Sequence, residues 1–270
     1  MSKIRVIYKL LKERNYKRIL FLFARILYQT RWYSPDYVTL TEWDKLIVVD
    51  ACTFNLFKSR NIIKGKLSKI KSPGSCTPEW LVETFKGKSF PDIVYISANL
   101  WASNYKLNEL LGSNPFYKVL EVWKNKWDHS LATVHPSEMN KEAIIAQKMY
   151  PTKRMNIHYI QPHFPFIGEN PLHVEGVTSQ NIETNQVKNK YTIWNALRDK
   201  KITPEEAYRA YESNFDLVIK YVLALIPHLK GKVCITSDHG NLFGKYGVFY
   251  GHPKALYHPE LIEVPWLEIQ

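Results

Sequence analysis

Cysteine is scarce in this chain: Cys52, Cys76 and Cys234 are the three among 270 residues. Three thiols build no disulfide framework and their spacing matches no zinc ribbon, so a reducing, cytoplasmic setting is the expectation. Long apolar runs are missing too. The one candidate, Ile19-Leu20-Phe21-Leu22-Phe23-Ala24, is cut by Arg25 far short of the roughly 18–20 residues a bilayer span requires, and no export signal is read from it. The absence of a zinc finger or RNP-type strand argues against nucleic acid as a partner. No internal repeat or low-complexity tract is present, and 45% hydrophobic residues with 14% aromatics exclude a disordered chain. Acidic residues are outnumbered, 25 against 37 Lys and Arg, for a net charge of +12. That imbalance is local. Residues 1–35 hold nine basic side chains against the single acid Glu13.

Positions 1–35 therefore read as a basic, amphipathic helical arm, apolar at Ile4, Ile7, Leu10, Leu11, Leu20, Phe23 and Leu27. Its basic face is either simply solvated or makes a peripheral contact with an anionic membrane, at the inner face for a cytoplasmic protein. The remaining residues, 36–270, suit one large α/β domain with a polar, aperiodic insertion at 167–201 that reads as a lid or binding loop.

What that domain does contain is a series of apolar strands that end on polar groups. Lys45-Leu46-Ile47-Val48-Val49 runs into Asp50, and Lys232-Val233-Cys234-Ile235-Thr236 into Ser237-Asp238-His239-Gly240. Ile93-Val94-Tyr95-Ile96-Ser97-Ala98 ends on Asn99, and a strand starting at Arg154 leads to His163 between Pro162 and Pro165. His158, inside that strand, reads as a core histidine. Helical signals separate the strands, such as Pro78 at the first turn after Thr77, and the capping box Thr203-Pro204-Glu205-Glu206. The pattern predicts a three-layer αβα sandwich with a mostly parallel sheet, in which the strand ends gather along one edge. Two carboxylates, histidines, a hydroxyl at a helix start and an amide donor at such an edge suit metal-assisted attack on a tetrahedral anion.

Taken together, Val-Val-Asp50, Gly-Ser-Cys-Thr77-Pro-Glu-Trp, Pro-His163-Phe-Pro-Phe, Tyr211-Glu-Ser-Asn-Phe-Asp216, Ser-Asp238-His239-Gly and Gly-His252-Pro resemble, in order, the motifs of the alkaline phosphatase superfamily. That group includes sulfatases, phosphodiesterases, phosphoethanolamine transferases and lipoteichoic acid synthases, and the resemblance covers roughly residues 44–269. It implies an alkaline-phosphatase-like fold and a metal-dependent hydrolase or transferase acting on phosphate mono- or diesters. Asp50, Asp238 and His239 look like metal ligands, Thr77 like the metal-bound nucleophile, Asn99 and His163 like groups on the transferred phosphate. His252 matches a downstream histidine that binds metal or substrate. His163 or His252 would protonate the leaving oxygen. The cofactor implied is a divalent ion, zinc first and manganese next, and the substrate a small-molecule, glycan- or lipid-linked phosphate or sulfate ester. Ser75 and Cys76 remain rival nucleophiles, because Cys76-Thr77-Pro78 is also similar to a sulfatase start in which Glu79-Trp80 replaces Ser-Arg. A sulfatase and a non-catalytic module docked by the basic arm are the alternatives.

Overall fold

The computed structural model describes residues 12, 16–172 and 191–269. Ile4, Ile7, Leu10 and Leu11 of the expected arm and positions 173–190 of the expected insertion lie outside the described residues. The chain begins with α1 (Tyr16–Gln29), β1 (Lys45–Asp50), α2 (Phe54–Arg60), β2 (Lys66–Lys71) and α3 (Thr77–Phe85). It continues with β3 (Phe90–Ser97), α4 (Asn104–Leu111), β4 (Phe116–Glu121), α5 (Trp123–Lys126), β5 (Trp127–Asp128) and β6 (Thr133–Val134). Next come α6 (Pro136–Met149), β7 (Arg154–Pro162), α7 (Ile193–Arg198) and α8 (Pro204–Leu225). Last are β8 (Val233–Thr236), β9 (Leu242–Lys245), β10 (Phe249–Gly251), α9 (Pro259–Ile262) and β11 (Glu263–Ile269).

Seven strands form one sheet in the order β2-β11-β8-β1-β7-β3-β4. Strand β1 pairs in parallel with β7 and β8, and β3 in parallel with β7 and β4, whereas β11 runs antiparallel between β8 and β2. Every residue of β1 is buried, as its unbroken apolar run requires of a strand covered on both faces. Its side chains alternate between two cores. Ile47 and Val49 join Ala143, Tyr211 and Phe215 of α6 and α8, while Leu46 and Val48 join Trp80, Leu81, Phe85 and Leu107 of α3 and α4. This alternation makes the expected three layers, helix on sheet on helix.

Helix α8 starts as its capping signals foretell: the Thr203 side chain accepts from the Glu206 amide and Glu206 returns to the Thr203 amide. The segment expected as an aperiodic insertion differs. Its last part folds as α7, opened by a capping box between Thr192 and Asn195, and buries Ile193, Ala196 and Leu197. Three apolar residues on six positions are too few for a periodicity signal, and the helix is held by packing. At the N-terminal side, Arg31 donates to Pro73 O at 2.6 Å and to Glu83 at 3.0 Å, tying the end of the arm to the turn before α3.

Candidate active site

The C-terminal ends of β8, β1, β7 and β3, four neighbours in the sheet, deliver Asp238-His239, Asp50, His163 and Asn99 to one edge. Asp50, Asp238 and His239 are all buried, and one ligand atom from each lies within 4.8 Å of the others. His239 Nε2 is 3.5 Å from Asp50 Oδ1 and 3.5 Å from Asp238 Oδ2. Four tetrahedral ligands about 2.0–2.1 Å from a metal lie about 3.3 Å apart, so these spacings suit a single ion.

Hydrogen bonding makes the same point atom by atom. Asp50 Oδ2 accepts from Asn99 Nδ2 at 2.5 Å, and Asp238 Oδ1 accepts from the amides of Ala51 at 3.1 Å and His239 at 2.9 Å. The opposite oxygens, Asp50 Oδ1 and Asp238 Oδ2, are buried without a hydrogen-bond partner. His239 Nδ1 donates to Gly240 O at 2.7 Å, which leaves the Nε2 lone pair facing both orphan oxygens. Buried carboxylate oxygens are costly to leave unpartnered, and a cation satisfies both at once. Two carboxylate oxygens, an imidazole nitrogen and a nearby hydroxyl form a zinc-type donor set rather than a calcium-type one. Burial, followed by repulsion from Asp238, raises the Asp50 carboxyl well above its ordinary range. Burial pushes Asp238 upward too, but His239 and then His158 outweigh it and hold that carboxyl low.

Thr77 stands beside this cluster, its Oγ1 3.3 Å from His239 Nε2 and 3.5 Å from Asn99 Nδ2. It is not the helix cap, the place that a threonine just before a first-turn proline usually takes. Cys76 takes that place and Thr77 is the first residue of α3, so its hydroxyl is turned to the cluster rather than to the helix amides. The rival nucleophiles sit differently. Ser75 is fully buried and donates to Glu79 at 2.7 Å and to Pro253 O at 2.9 Å. Cys76 borders the cavity, and burial pushes its thiol up to about 11, far from a thiolate.

A cavity of about 590 Å³ opens over Thr77, Asp50 and Asn99, with His163, His252 and Lys254 on its rim. Trp101, Trp127 and Trp194 border it as well. The rings of His163 and His252 are 4.9 Å apart and those of His252 and His239 are 4.6 Å apart. His252 thus lies beside the Asp50–Asp238–His239 cluster, not within it. His163 Nδ1 donates to Phe164 O at 2.5 Å and His252 Nδ1 to Asn241 Oδ1 at 3.3 Å. Burial holds His163 down at about 4, and burial with the neighbouring His239 and His163 holds His252 well below its usual value. Both rings are therefore neutral at neutral pH, so neither is a ready acid in the free protein.

Sequence reasoning gave no place at this site to three residues that the structure brings there. Lys254 follows Gly251-His252-Pro253 immediately, and that proximity was its only signal. Glu79 accepts from the Ser75 amide at 2.8 Å and the Tyr257 hydroxyl at 2.7 Å, bracing the turn before Thr77, though locally it reads as a first-turn acid. His158 is fully buried as expected, but only one of its nitrogens is satisfied.

No family model matches this chain, and no curated protein does. Solved structures match by fold. The soluble domain of lipooligosaccharide phosphoethanolamine transferase A from Neisseria meningitidis is 12% identical, with 87% of this chain and 79% of that one covered and a TM-score of 0.51. The integral membrane form of the same transferase is 13% identical at a TM-score of 0.51; 87% of this chain is covered, but only 49% of that one. The zinc complex of the C-terminal periplasmic domain of EcEptC from Escherichia coli is 13% identical, with 86% and 74% covered and a TM-score of 0.50. The cytoplasmic expectation is contradicted by these neighbours, one of which is a periplasmic domain and another part of an integral membrane protein. Cysteine usage misled because all three thiols are free and buried, so they report packing rather than compartment. By its parallel sheet, its layers and these neighbours, the chain has the fold of the alkaline phosphatase superfamily.

Proposed function

We propose that this protein is a metal-dependent hydrolase or transferase of phosphate esters with Thr77 as its nucleophile. The observation that carries the reading is the convergence of two orphan carboxylate oxygens and one imidazole lone pair beside the Thr77 hydroxyl. Asp50, Asp238, His239 and Thr77 would hold the ion. Bound there, zinc, or manganese as second choice, would favour the ionised hydroxyl and offset the negative charge of the ester.

Thr77 Oγ attacks phosphorus in line, the bond to the leaving oxygen breaks, and the phosphoryl group rests on Thr77. Asn99 lines the cavity with Thr77, the first residue of α3, so its amide and the positive end of that helix would take up charge on the transferred oxygens. His163 is neutral in the free protein, which suits it to accept the proton of the water or acceptor hydroxyl that releases the group. Protonating the first leaving group requires the same ring to gain a proton when the anionic ester binds. The sulfatase alternative puts the chemistry on Cys76, which makes no hydrogen bond to the cluster. A non-catalytic module gives the orphan oxygens no role.

The substrate we propose is a phosphate ester, small or glycan- or lipid-linked; the cavity supports it with room for the phosphate over Thr77 and for the organic part against the tryptophans. Exposed Phe23, Ile26, Leu27 and Trp32 on and after α1, within a strongly basic stretch, support contact with an anionic membrane surface. The test is metal content of the purified protein with turnover of p-nitrophenyl phosphate, bis-p-nitrophenyl phosphate and p-nitrophenyl sulfate, for wild type and Thr77→Ala. Stoichiometric metal and phosphoester turnover that falls at least about a hundredfold in Thr77→Ala is expected, a loss of about 2.7 kcal/mol in transition-state stabilisation. Sulfate turnover that survives Thr77→Ala would overturn the assignment.

A further inference from the structure

The two carboxylates of the candidate metal centre have a neighbour on their buried side. His158 lies mid-strand in β7, opposite Val48 of β1 and Ser97 of β3, with no solvent exposure. Its Nε2 is 3.9 Å from Asp50 Oδ2 and 3.9 Å from Asp238 Oδ2, and it has no hydrogen-bond partner. The other ring nitrogen, Nδ1, is 2.8 Å from the Tyr95 hydroxyl.

We propose that His158 is a positioning residue for the metal centre, its Nε2–H directed between Asp50 and Asp238 and its tautomer set by Tyr95. The inference rests on the metal reading above. Burial, then Asp238 and Asp50, push the Tyr95 hydroxyl far up, so it stays protonated. His158 Nδ1 is its one hydrogen-bond partner among the described residues. Tyr95 therefore donates, Nδ1 accepts, and the ring proton is on Nε2. The opposite tautomer would aim a lone pair at two carboxylate oxygens and is repulsive. At 3.9 Å the contact is longer than a hydrogen bond, so the N–H acts on both oxygens through its dipole. It reduces the repulsion between the two carboxylates as they face one ion. The edge of Trp80, with centroids 6.0 Å apart, confines the ring. A nitrogen that carries its proton is no ligand; His158 works through Asp50 and Asp238.

The experiment is zinc affinity of the full chain by competition with a chromophoric chelator, with folding checked by near-UV circular dichroism. His158→Leu is expected to lose about ten- to a hundredfold in affinity, the usual effect of removing a group that orients metal ligands. Tyr95→Phe, which removes one oxygen and threatens the fold least, is expected to lose about tenfold by releasing the tautomer. His158→Gln, whose amide nitrogen reaches about as far as Nε2, is expected to keep most of the affinity. Unchanged affinity in a folded Tyr95→Phe and His158→Leu would sink the proposal. So would a loss in His158→Gln as deep as in His158→Leu, which would make the imidazole itself a ligand. A wild-type chain that takes up no zinc overturns the metal reading and this inference with it, whereas zinc uptake indifferent to these variants overturns this inference alone.

Discussion

Replacing Asp50 with Asn is expected to move the stability of the metal-free and the zinc-loaded protein in opposite directions. Asp50 is buried beside Asp238, and burial followed by that repulsion raises its carboxyl well above the ordinary 3.8. A carboxyl raised in the folded state binds its proton more tightly there than in the unfolded chain. Stability is therefore greatest below the unfolded value and falls as pH rises through the window between the unfolded and folded values. Above that window the cost is complete, about 1.4 kcal/mol for each unit of elevation. Asparagine has the same shape without the charge. Its oxygen can accept from Asn99 as Oδ2 does, and its amide nitrogen would face the His239 Nε2 lone pair, 3.5 Å from Oδ1. With a chelator present, Asp50→Asn should match wild type at acidic pH and exceed it increasingly towards neutrality. For a chain near this size each kcal/mol is worth about 2–4 °C in Tm. Zinc should reverse the order, because a ligand at a hundredfold its Kd adds about 2.7 kcal/mol to wild type and much less to a variant short of one oxygen ligand. Thermal unfolding across the acid-to-neutral range, with chelator and with zinc, reads both effects. A variant less stable than wild type at every pH without metal, or stabilised equally by zinc, would refute the reasoning.

Three further outcomes follow from the same geometry. A Cβ on Gly240 would lie 1.9 Å from Glu260 O, a backbone atom that cannot swing away, so Gly240→Ala should cost about 1–3 kcal/mol or more in urea denaturation and weaken zinc binding through the adjacent His239; an unchanged midpoint would contradict this. Glu79→Ala strands the Ser75 amide and the Tyr257 hydroxyl, an expected loss of roughly 2–4 kcal/mol, and retention of full stability would show the brace to be dispensable. Burial depresses His158 from 6.5 to about 4. A depressed histidine contributes stability that is complete above the unfolded value and is lost as pH falls towards the folded one, so wild type without metal should lose about 3 kcal/mol relative to His158→Gln over that interval; parallel pH profiles would count against a neutral, buried ring.

The layers of the fold were legible because their signals are local. The unbroken apolar run 46–49 demands a strand covered on both faces, and its alternation between two cores follows from the pleat. The capping box at Thr203 needs only four residues to announce α8. Asp50, Thr77, Asn99, His163, Asp238, His239 and His252 could be gathered in advance because each ends a strand, starts a helix or follows a turn at one edge of a parallel sheet. The helix α7 escaped notice because six residues carry too little periodicity. Location was misread because buried thiols look alike on either side of a membrane.

The sequence by itself determined which residue types reach the sheet edge and in which order. Only the tertiary structure decided which atom of each is left free. Ala51 and Asp238 are 187 residues apart, yet the Ala51 amide occupies one carboxylate oxygen and thereby exposes the other. Ser75 and Thr77 differ little as hydroxyls in a turn, but Glu79 and the backbone at Pro253 engage the first while His239 faces the second. His158 reads as an ordinary core residue until Tyr95, 63 positions away, takes one nitrogen and leaves the other between two carboxylates. Periodicity and capping act over a few residues and are written along the chain, whereas the direction of a buried lone pair depends on atoms that only the closed sheet brings together.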